Sequence, residues 1–405
     1  MRTLLSGGRV FDPRSGALSR ADVTIEDGRI VDVGTGLDGD ESVDLSERAL
    51  LPGLFDCHTH VMFSHIDLMR GIQTPFSYRF YEGAKNLEAT LRAGITTVRD
   101  AGGADLGVKQ AVADGLIPGP RLQISIRMLS QTGGHGDEWM PFGEHVRWLG
   151  PPYPGSPDTI VDGPEAMRRK VRELIRDGAD VIKVATSGGV LSPRDDPRHA
   201  HFRLDELEAL VTEATAAGRW VMAHAQGADG IKNAVRAGVR SIDHGVYLDD
   251  EAISMMLDKG TYLVPTLVAP QGVIAAAEGG AQIPEESLRK ARGVVEIHRD
   301  SFRKAVAAGV KVAMGTDSGV TPHGENLREL DLMAQGGMTP AQALTATTLV
   351  AAELMGVQDE LGSIEPGKRA DVVVVEGDPF DLKTLPERIE AVYQGGRRVV
   401  DATEI

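Results

Sequence analysis

Eight short apolar segments recur along the middle of the chain, and amphipathic helical stretches lie between them. This alternation predicts parallel strands joined by crossover helices. The predicted strands are LLPGLFDCHTH, GITTVRDAGG, RLQISIRML, ADVIKVATSGG, WVMAHAQG, SIDHGVYL, TYLVPTLV and KVAMGTDSG. Eight such units can close a (β/α)₈ barrel. An open doubly wound sheet is the alternative, but the Gly-rich phosphate fingerprint that normally follows its first strand is missing from this sequence.

The two ends of the chain have a different pattern. Residues 1–50 alternate apolar and polar positions in short pieces such as ADVTIEDGRIVDVG, and the same pattern returns in RADVVVVEG near the C-terminus. Such alternation between Gly and Asp turn signals predicts an antiparallel β unit. We therefore expect a small β-sandwich of residues 1–50 plus 360–405, built from both termini, beside a barrel of residues 51–359.

Charge and cysteine content exclude several classes of partner and compartment. The formal net charge of −16 opposes binding to nucleic acid or to an anionic membrane, because both require a positive patch. Cys57 is the one cysteine, so no intrachain disulfide can form. The N-terminus MRTLLSGGRVFD has no apolar targeting core, and the sequence contains no run of about 18 apolar residues. We expect a cytoplasmic protein.

Polar residues cluster where the predicted strands end. In a barrel of this kind the carboxyl ends of the strands and the loops after them form the active face, so residues distant in sequence can converge there. Any one of these histidines could be an ordinary core residue, but their shared placement favours a metal site. The candidate metal ligands are His58, His60, Lys183, His224, His244 and Asp317.

Two of these candidates leave a chemical alternative open. Lys183 is flanked by apolar residues, where a charged ammonium is costly to bury. A neutral amine can react with CO₂ to form a carbamate that bridges two cations, whereas an ordinary salt bridge is the other possibility. Asp317 could bind a metal and accept a proton from water, or it could cap the next helix. Zinc suits such a set, although manganese, cobalt or iron would also accept it.

Loops after the third and fourth predicted strands bear on substrate binding. The Gly/Pro-rich stretch of residues 130–163 is long for a compact domain, and we expect it to cover the active mouth. The loop SPRDDPRHAHFR offers Arg194, Arg198 and Arg203, any of which could bind a free carboxylate or simply lie in solvent. We expect three further histidines to lie outside the ligand set: His199, His201 and His323.

Taken together, PGLFDCHTH, GTDSG and the tail EPGKRADVVVV resemble the amidohydrolase superfamily over nearly the whole chain. Within it the sequence is most similar to prolidase-type and Xaa-Arg/Lys-carboxypeptidase-type enzymes, with imidazolonepropionase and an ochratoxin-cleaving amidase as relatives. The resemblance implies two divalent metals, with His58 and His60 on one, His224 and His244 on the other, and a carboxylated Lys183 between them. It also implies that Asp317 is both ligand and base. Members of the superfamily are often oligomeric, so a homo-oligomer is one expectation for this chain.

Two further catalytic residues follow from the resemblance. His135 in QTGGHGDE and Tyr247 in HGVY correspond to the residues that hold the substrate carbonyl in this family. A phenol or an imidazolium is a suitable electrophile beside a developing oxyanion. Tyr247 could instead merely pack its ring.

The expected reaction is hydrolysis of an amide bond in a small substrate, a dipeptide or N-acyl amino acid with a free carboxylate. A metal-bound hydroxide would attack the carbonyl, and Asp317 would take its proton and pass it to the leaving nitrogen. One alternative is another C–N bond, as in a cyclic amide, an aryl urea or a carbamate, or deamination of a heterocycle. Lys183 argues against deamination, because deaminases of this fold usually lack it. A non-catalytic barrel that only binds a partner is the remaining alternative.

Overall fold

The computed structural model describes residues 1–146 and 155–401. The strands are β1 (Thr3–Ser6), β2 (Arg9–Asp12), β3 (Ala17–Arg20), β4 (Asp22–Glu26), β5 (Arg29–Gly34), β6 (Glu41–Asp44), β7 (Arg48–Pro52), β8 (Leu54–Thr59), β9 (Ile95–Asp100), β10 (Arg121–Ile124), β11 (Met128–Leu129), β12 (Val181–Ala185), β13 (Trp220–Ala225), β14 (Ser241–His244), β15 (Tyr262–Val264), β16 (Val372–Glu376), β17 (Ile389–Gln394) and β18 (Arg397–Asp401). The helices are α1 (Leu68–Gln73), α2 (Tyr78–Arg92), α3 (Leu106–Ala113), α4 (Pro164–Arg176), α5 (Leu204–Ala216), α6 (Ala228–Ala237), α7 (Asp250–Lys259), α8 (Val268–Glu278), α9 (Glu285–Ala308), α10 (Arg328–Gln335), α11 (Pro340–Ala346) and α12 (Leu349–Met355), with a 3₁₀ turn at Leu385–Arg388.

Parallel strands form the centre of the molecule. They are hydrogen-bonded in the orders β10-β9-β8 and β11-β12-β13-β14-β15, and helices follow most of them in the chain, so this part has an α/β architecture. The predicted third strand is split into β10 and β11, because Ile126 between them adopts a left-handed backbone conformation with φ of 65°. A residue in that conformation cannot continue a strand.

The predicted eighth strand is irregular. Within the described residues 311–319 there are only isolated parallel bridges: Val312 pairs with Leu263 of β15, and Ser318 pairs with Thr59 of β8 and with Thr321. Asp317, with φ of 62°, interrupts the extended backbone of this segment. Nevertheless the segment is hydrogen-bonded to both neighbours: Leu263 N donates to Lys311 O and Cys57 N donates to Met314 O. It therefore lies between the last parallel strand and the first.

Helix α4 shows how the crossover helices attach to the strands. Pro164 stands in its first turn, where the missing N–H costs nothing. Its buried residues Met167, Val171 and Leu174 are spaced by four and three positions, so they share one face. That face joins the same hydrophobic core as Ile182 of β12. Among the described residues, no helix combines the length and apolar composition needed to cross a membrane.

Strands from the two termini meet as expected. One sheet has the order β5-β4-β1-β6, and the other, β18-β17-β16-β7-β2-β3, combines N-terminal and C-terminal strands. Val372 and Val374 of β16 pack with Leu5 and Val23 of the first sheet, whereas the alternate residues Val373 and Val375 face the main core. The expectation of a purely antiparallel unit was wrong, because the β1–β6 and β2–β7 pairs are parallel. The chain passes through other strands before it returns to each pair, which permits the parallel direction.

Candidate metal centre and active site

A cavity of about 430 Å³ lies at the carboxyl ends of the parallel strands. Its apolar walls include Phe63, Ile66, Val273 and Val294. All six predicted ligands lie on its lining: His58, His60, Lys183, His224, His244 and Asp317. The strand ends thus converge on one enclosed spot.

Asp317 contacts both histidines of the first pair, His58 and His60. Its Oδ1 lies 3.3 Å from His58 Nε2 and 3.2 Å from His60 Nε2. His58, His244 and Asp317 offer ligand atoms that all lie within 4.8 Å of one another. Burial would raise the pKa of Asp317, but His58 and His60 outweigh it and hold that pKa well below its ordinary value. The carboxylate is therefore ionised, as a ligand or a base must be.

Hydrogen bonds to the far ring nitrogens orient the imidazoles. His60 Nδ1–H donates to Gly102 O at 2.7 Å, which turns the opposite ring nitrogen, Nε2, towards Asp317 Oδ1 at 3.2 Å. His244 Nδ1 lies 2.7 Å from the hydroxyl of Thr266. Outer partners of this kind normally fix the tautomer and direction of a metal-binding histidine.

The second histidine pair is closely packed and uncharged. The ring centroids of His224 and His244 are 4.6 Å apart, and His135 stacks on His224 at 4.2 Å. Burial lowers the pKa of both His224 and His244 well below the ordinary value. Both rings are therefore neutral at physiological pH, which is the form that binds a metal.

Lys183 is paired with a residue that the sequence did not single out. Its Nζ donates to Asp243 Oδ2 at 2.7 Å, and Asp243 also lies 3.2 Å from Arg99 Nη2 and 3.0 Å from His58 Nδ1. Burial lowers the pKa of Lys183, while the charge of Asp243 opposes that shift. The ordinary salt bridge is thus the arrangement present for the unmodified lysine.

Asp243 escaped prediction because strand alternation places neighbouring residues on opposite sides. His244 has a left-handed backbone with φ of 74°, which breaks the alternation at the end of β14. Asp243 and His244 can then both serve the same site. An acidic residue inside the apolar segment SIDHG was the available signal, since a fully buried carboxylate needs a cation.

The residues present fit divalent metal binding. Four imidazoles, an ionised carboxylate and a lysine with lowered pKa converge, and the second imidazole pair is neutral. Imidazole and carboxylate groups are suitable ligands for zinc and related ions. Left-handed backbone at both His244 and Asp317 is the kind of local strain that clusters at functional sites.

The two predicted carbonyl-binding residues differ in position. His135 lines the cavity, and its Nδ1 donates to Ser192 Oγ at 2.7 Å. The Ser192 hydroxyl in turn donates to Asp195. Tyr247 is not among the described residues that line the cavity, and its ring packs beside an apolar cluster that includes Val246.

The loop predictions are only partly met. Residues 133–140 of the long loop line the cavity, as expected of a loop beside the active site, while 147–154 lie outside the described residues. Arg194 lines the cavity, whereas Arg198 pairs with Asp196 and Arg203 precedes α5 away from the described lining. The described lining also excludes His199, His201 and His323. The polar lining residues that the sequence did not single out include Arg127, Gln226, Thr266 and His298.

Comparisons with known proteins agree with this site. The family model described as "Amidohydrolase family" matches residues 49–402. Ochratoxinase from Aspergillus niger is 38% identical over 363 residues, which cover 86% of this chain and 75% of that protein. A crystal structure of a Xaa-Pro dipeptidase with methionine bound in its active site superposes with a TM-score of 0.90, at 33% identity, covering 99% of this chain and 100% of that one. A prolidase complexed with N-methylphosphonate-L-proline gives a TM-score of 0.91 at 37% identity, with the same coverage. The chain therefore belongs to the amidohydrolase family, whose members hydrolyse C–N bonds.

Proposed function

We propose that this protein is a binuclear metal-dependent amidohydrolase that cleaves the amide bond of a dipeptide or an N-acyl amino acid with a free carboxylate. One observation carries the proposal: His58, His60, Lys183, His224, His244 and Asp317 converge at a cavity whose walls are otherwise largely apolar. The similar dipeptidase and prolidase structures, one with methionine and the other with a proline phosphonate, support a substrate of this class.

The proposal includes the architecture that carries the site. Residues 51–359 would form a (β/α)₈ barrel, with the irregular segment 311–319 taking the place of its eighth strand. Residues 1–50 plus 360–405 would form the β-sandwich. The hydrogen bonds of segment 311–319 to both β8 and β15 support closure of the barrel.

His58 and His60 would hold one metal, and His224 and His244 the other. Zinc is the ion that this donor set suits best. Lys183, once carboxylated, would lie between the two ions, and its burial favours the neutral amine that reacts with CO₂. When bound, such metals supply an acidic water and polarise the scissile carbonyl.

The side chains of the protein would handle the protons and position the substrate. Asp317, held ionised beside His58 and His60, would accept a proton from the attacking water and deliver it to the leaving nitrogen. His135 would hold the carbonyl oxygen, a role that its place in the cavity supports. Tyr247 would join it only if its ring turned from its present packing towards the cavity.

Arg194 is the candidate for the substrate carboxylate. It lines the cavity near the mouth loop, and its guanidinium lies 5.3 Å from the ring centre of Trp139. A cation–π contact holds a guanidinium in place, and although Arg194 Nη2 also contacts Met140 Sδ at 3.5 Å, other N–H groups remain to bind a carboxylate. The apolar walls would receive the substrate side chain and exclude water.

Assay of the metal-loaded enzyme against a library of dipeptides and N-acyl amino acids tests the proposal. Asp317→Asn should retain metal and lose about 10²- to 10⁴-fold in kcat, because the proton acceptor is removed. Asp105→Asn is a matched control, since Asp105 caps α3 outside the described lining of the cavity and Asn caps a helix equally well.

Three results would contradict the proposal. Asp317→Asn enzyme with full metal content and an unchanged rate would refute the role of the carboxylate. Cleavage of cyclic amides, aryl ureas or carbamates, without cleavage of any library member, would favour the alternative substrate class. A deaminase would release ammonia with one metal per chain and an unmodified Lys183.

A further inference from the structure

Gln226 is a buried residue of the cavity lining, two positions beyond His224. Its backbone is held on both sides: Gln226 N donates to Ser187 Oγ at 2.8 Å, and its carbonyl accepts from Tyr247 N at 2.8 Å. The side chain therefore starts from a fixed point between the loops after β12 and β14. Since residues two apart in extended chain share a side, Gln226 lies on the same side as His224.

The acceptor atom of the Gln226 side chain has no partner among the described residues. This atom, Oε1, is fully buried. By contrast, the buried carboxylate of Asp56 accepts from Thr316, Asn326 and the His58 backbone. Most buried polar side chains in native proteins are paired, so an unpaired acceptor on a residue that lines a binding cavity is a candidate for pairing with a bound ligand.

We infer that Gln226 is a substrate-binding residue whose Oε1 accepts a hydrogen bond from an N–H donor of the substrate. The inference rests on the proposed function, because that function supplies substrates rich in N–H groups. Two donors of this kind exist: the scissile amide N–H and the α-ammonium of a dipeptide. Either would supply the partner that Oε1 lacks, and a substrate without one would leave the buried acceptor unsatisfied.

Matched substrates separate the two donors. The first pair is an N-acyl amino acid and its N-methyl amide analogue, which lacks the amide N–H. The second pair is a dipeptide and its desamino analogue, which lacks the ammonium. If Gln226 binds the amide N–H, Gln226→Leu should lower kcat/KM for the N-acyl amino acid about 3- to 10-fold. If Gln226 binds the ammonium, the same variant should lower kcat/KM for the dipeptide about 10- to 100-fold. For the analogue that lacks the donor, kcat/KM should be the same with Gln226→Leu as with the wild type.

Two variants distinguish binding from a structural effect. Gln226→Glu keeps an acceptor oxygen, so it should still cleave the substrate that carries the donor with a higher kcat/KM than the analogue that lacks it. Gln123→Leu is the control, because Gln123 Nε2 donates to Met355 O at 2.8 Å outside the described lining of the cavity. That control should lower the thermal midpoint without changing substrate discrimination, whereas Gln226→Leu should leave the midpoint and the metal content unchanged.

The possible failures are distinguishable. If the wild type cleaves the substrates and Gln226→Leu alters all four by the same factor, or alters none, the role of Gln226 is wrong and the proposed function stands. If the wild type cleaves none of the four, the proposed function is wrong and the inference falls with it.

Discussion

Asp243→Asn removes one negative charge from the centre of the molecule and keeps the shape of the side chain. Asp243 is fully buried and faces Lys183 at 2.7 Å and Arg99 at 3.2 Å. Both cations are themselves almost inaccessible, with 1% and 3% of their side chains exposed. The substitution therefore leaves two buried cations without their shared counter-charge.

Loss of one partner from a buried ion pair costs about 3–5 kcal/mol. We expect the lower end of that range for the metal-free protein, because Arg99 keeps its hydrogen bonds to Cys57 O and Ser241 Oγ and the asparagine still offers one acceptor. Urea denaturation of metal-free protein, extrapolated linearly with an unchanged slope, measures this loss.

Glu88→Gln is the control, since Glu88 pairs with Arg92 on an exposed face of α2 and the pair should contribute about 0.5 kcal/mol or less. A loss below about 1 kcal/mol for Asp243→Asn would refute the reasoning. In the metal-loaded protein the cost should be smaller if Lys183 is carboxylated, because the carbamate is an anion that no longer needs Asp243 as its counter-charge.

Three more predictions follow from single groups. Native mass spectrometry of the metal-loaded protein in bicarbonate should show one added CO₂. Lys183→Arg should remove that added mass and lower the activity about 100-fold or more. An active wild type without the added CO₂ would contradict the bridging role of Lys183. Burial raises the pKa of the Cys57 thiol to about 12, so a thiol reagent at pH 8 should react only after unfolding, and rapid reaction of the folded protein would show the thiol to be accessible. Burial also lowers the pKa of His323 from 6.5 to about 4. Between these two pH values the unfolded chain binds a proton at His323 and the folded protein does not, so the free energy of unfolding should fall as the pH drops from about 6.5 to 4. A urea midpoint that does not change over that window would contradict this.

Local sequence patterns predicted much of the cavity. His58 and His60 are two positions apart at the end of one strand, and His224 ends another, so alternation and strand ends suffice to place them on one face. The terminal strands could likewise be recognised from their alternation, as in β16, where Val372 and Val373 face different cores. These features depend only on residues that are close together in the sequence, so a sequence pattern can predict them.

Other features required the folded chain. The pairing of Asp243 with Lys183 joins residues 60 positions apart, and the left-handed turn at His244 that permits it has no local signature. The direction of the β1–β6 pair was also mispredicted, because it depends on the path between strands. Arg198 lies in the expected loop, but its pairing with Asp196 keeps it out of the described cavity lining.

The amino-acid sequence alone determined which segments become strands and which polar residues stand at their ends, because side-chain periodicity and strand boundaries are local properties. Only the tertiary structure decided which charges neutralise one another and which polar atoms remain unpaired in the cavity. Asp243 and Gln226 show the reason: the energy of a buried polar group depends on partners brought from distant parts of the chain.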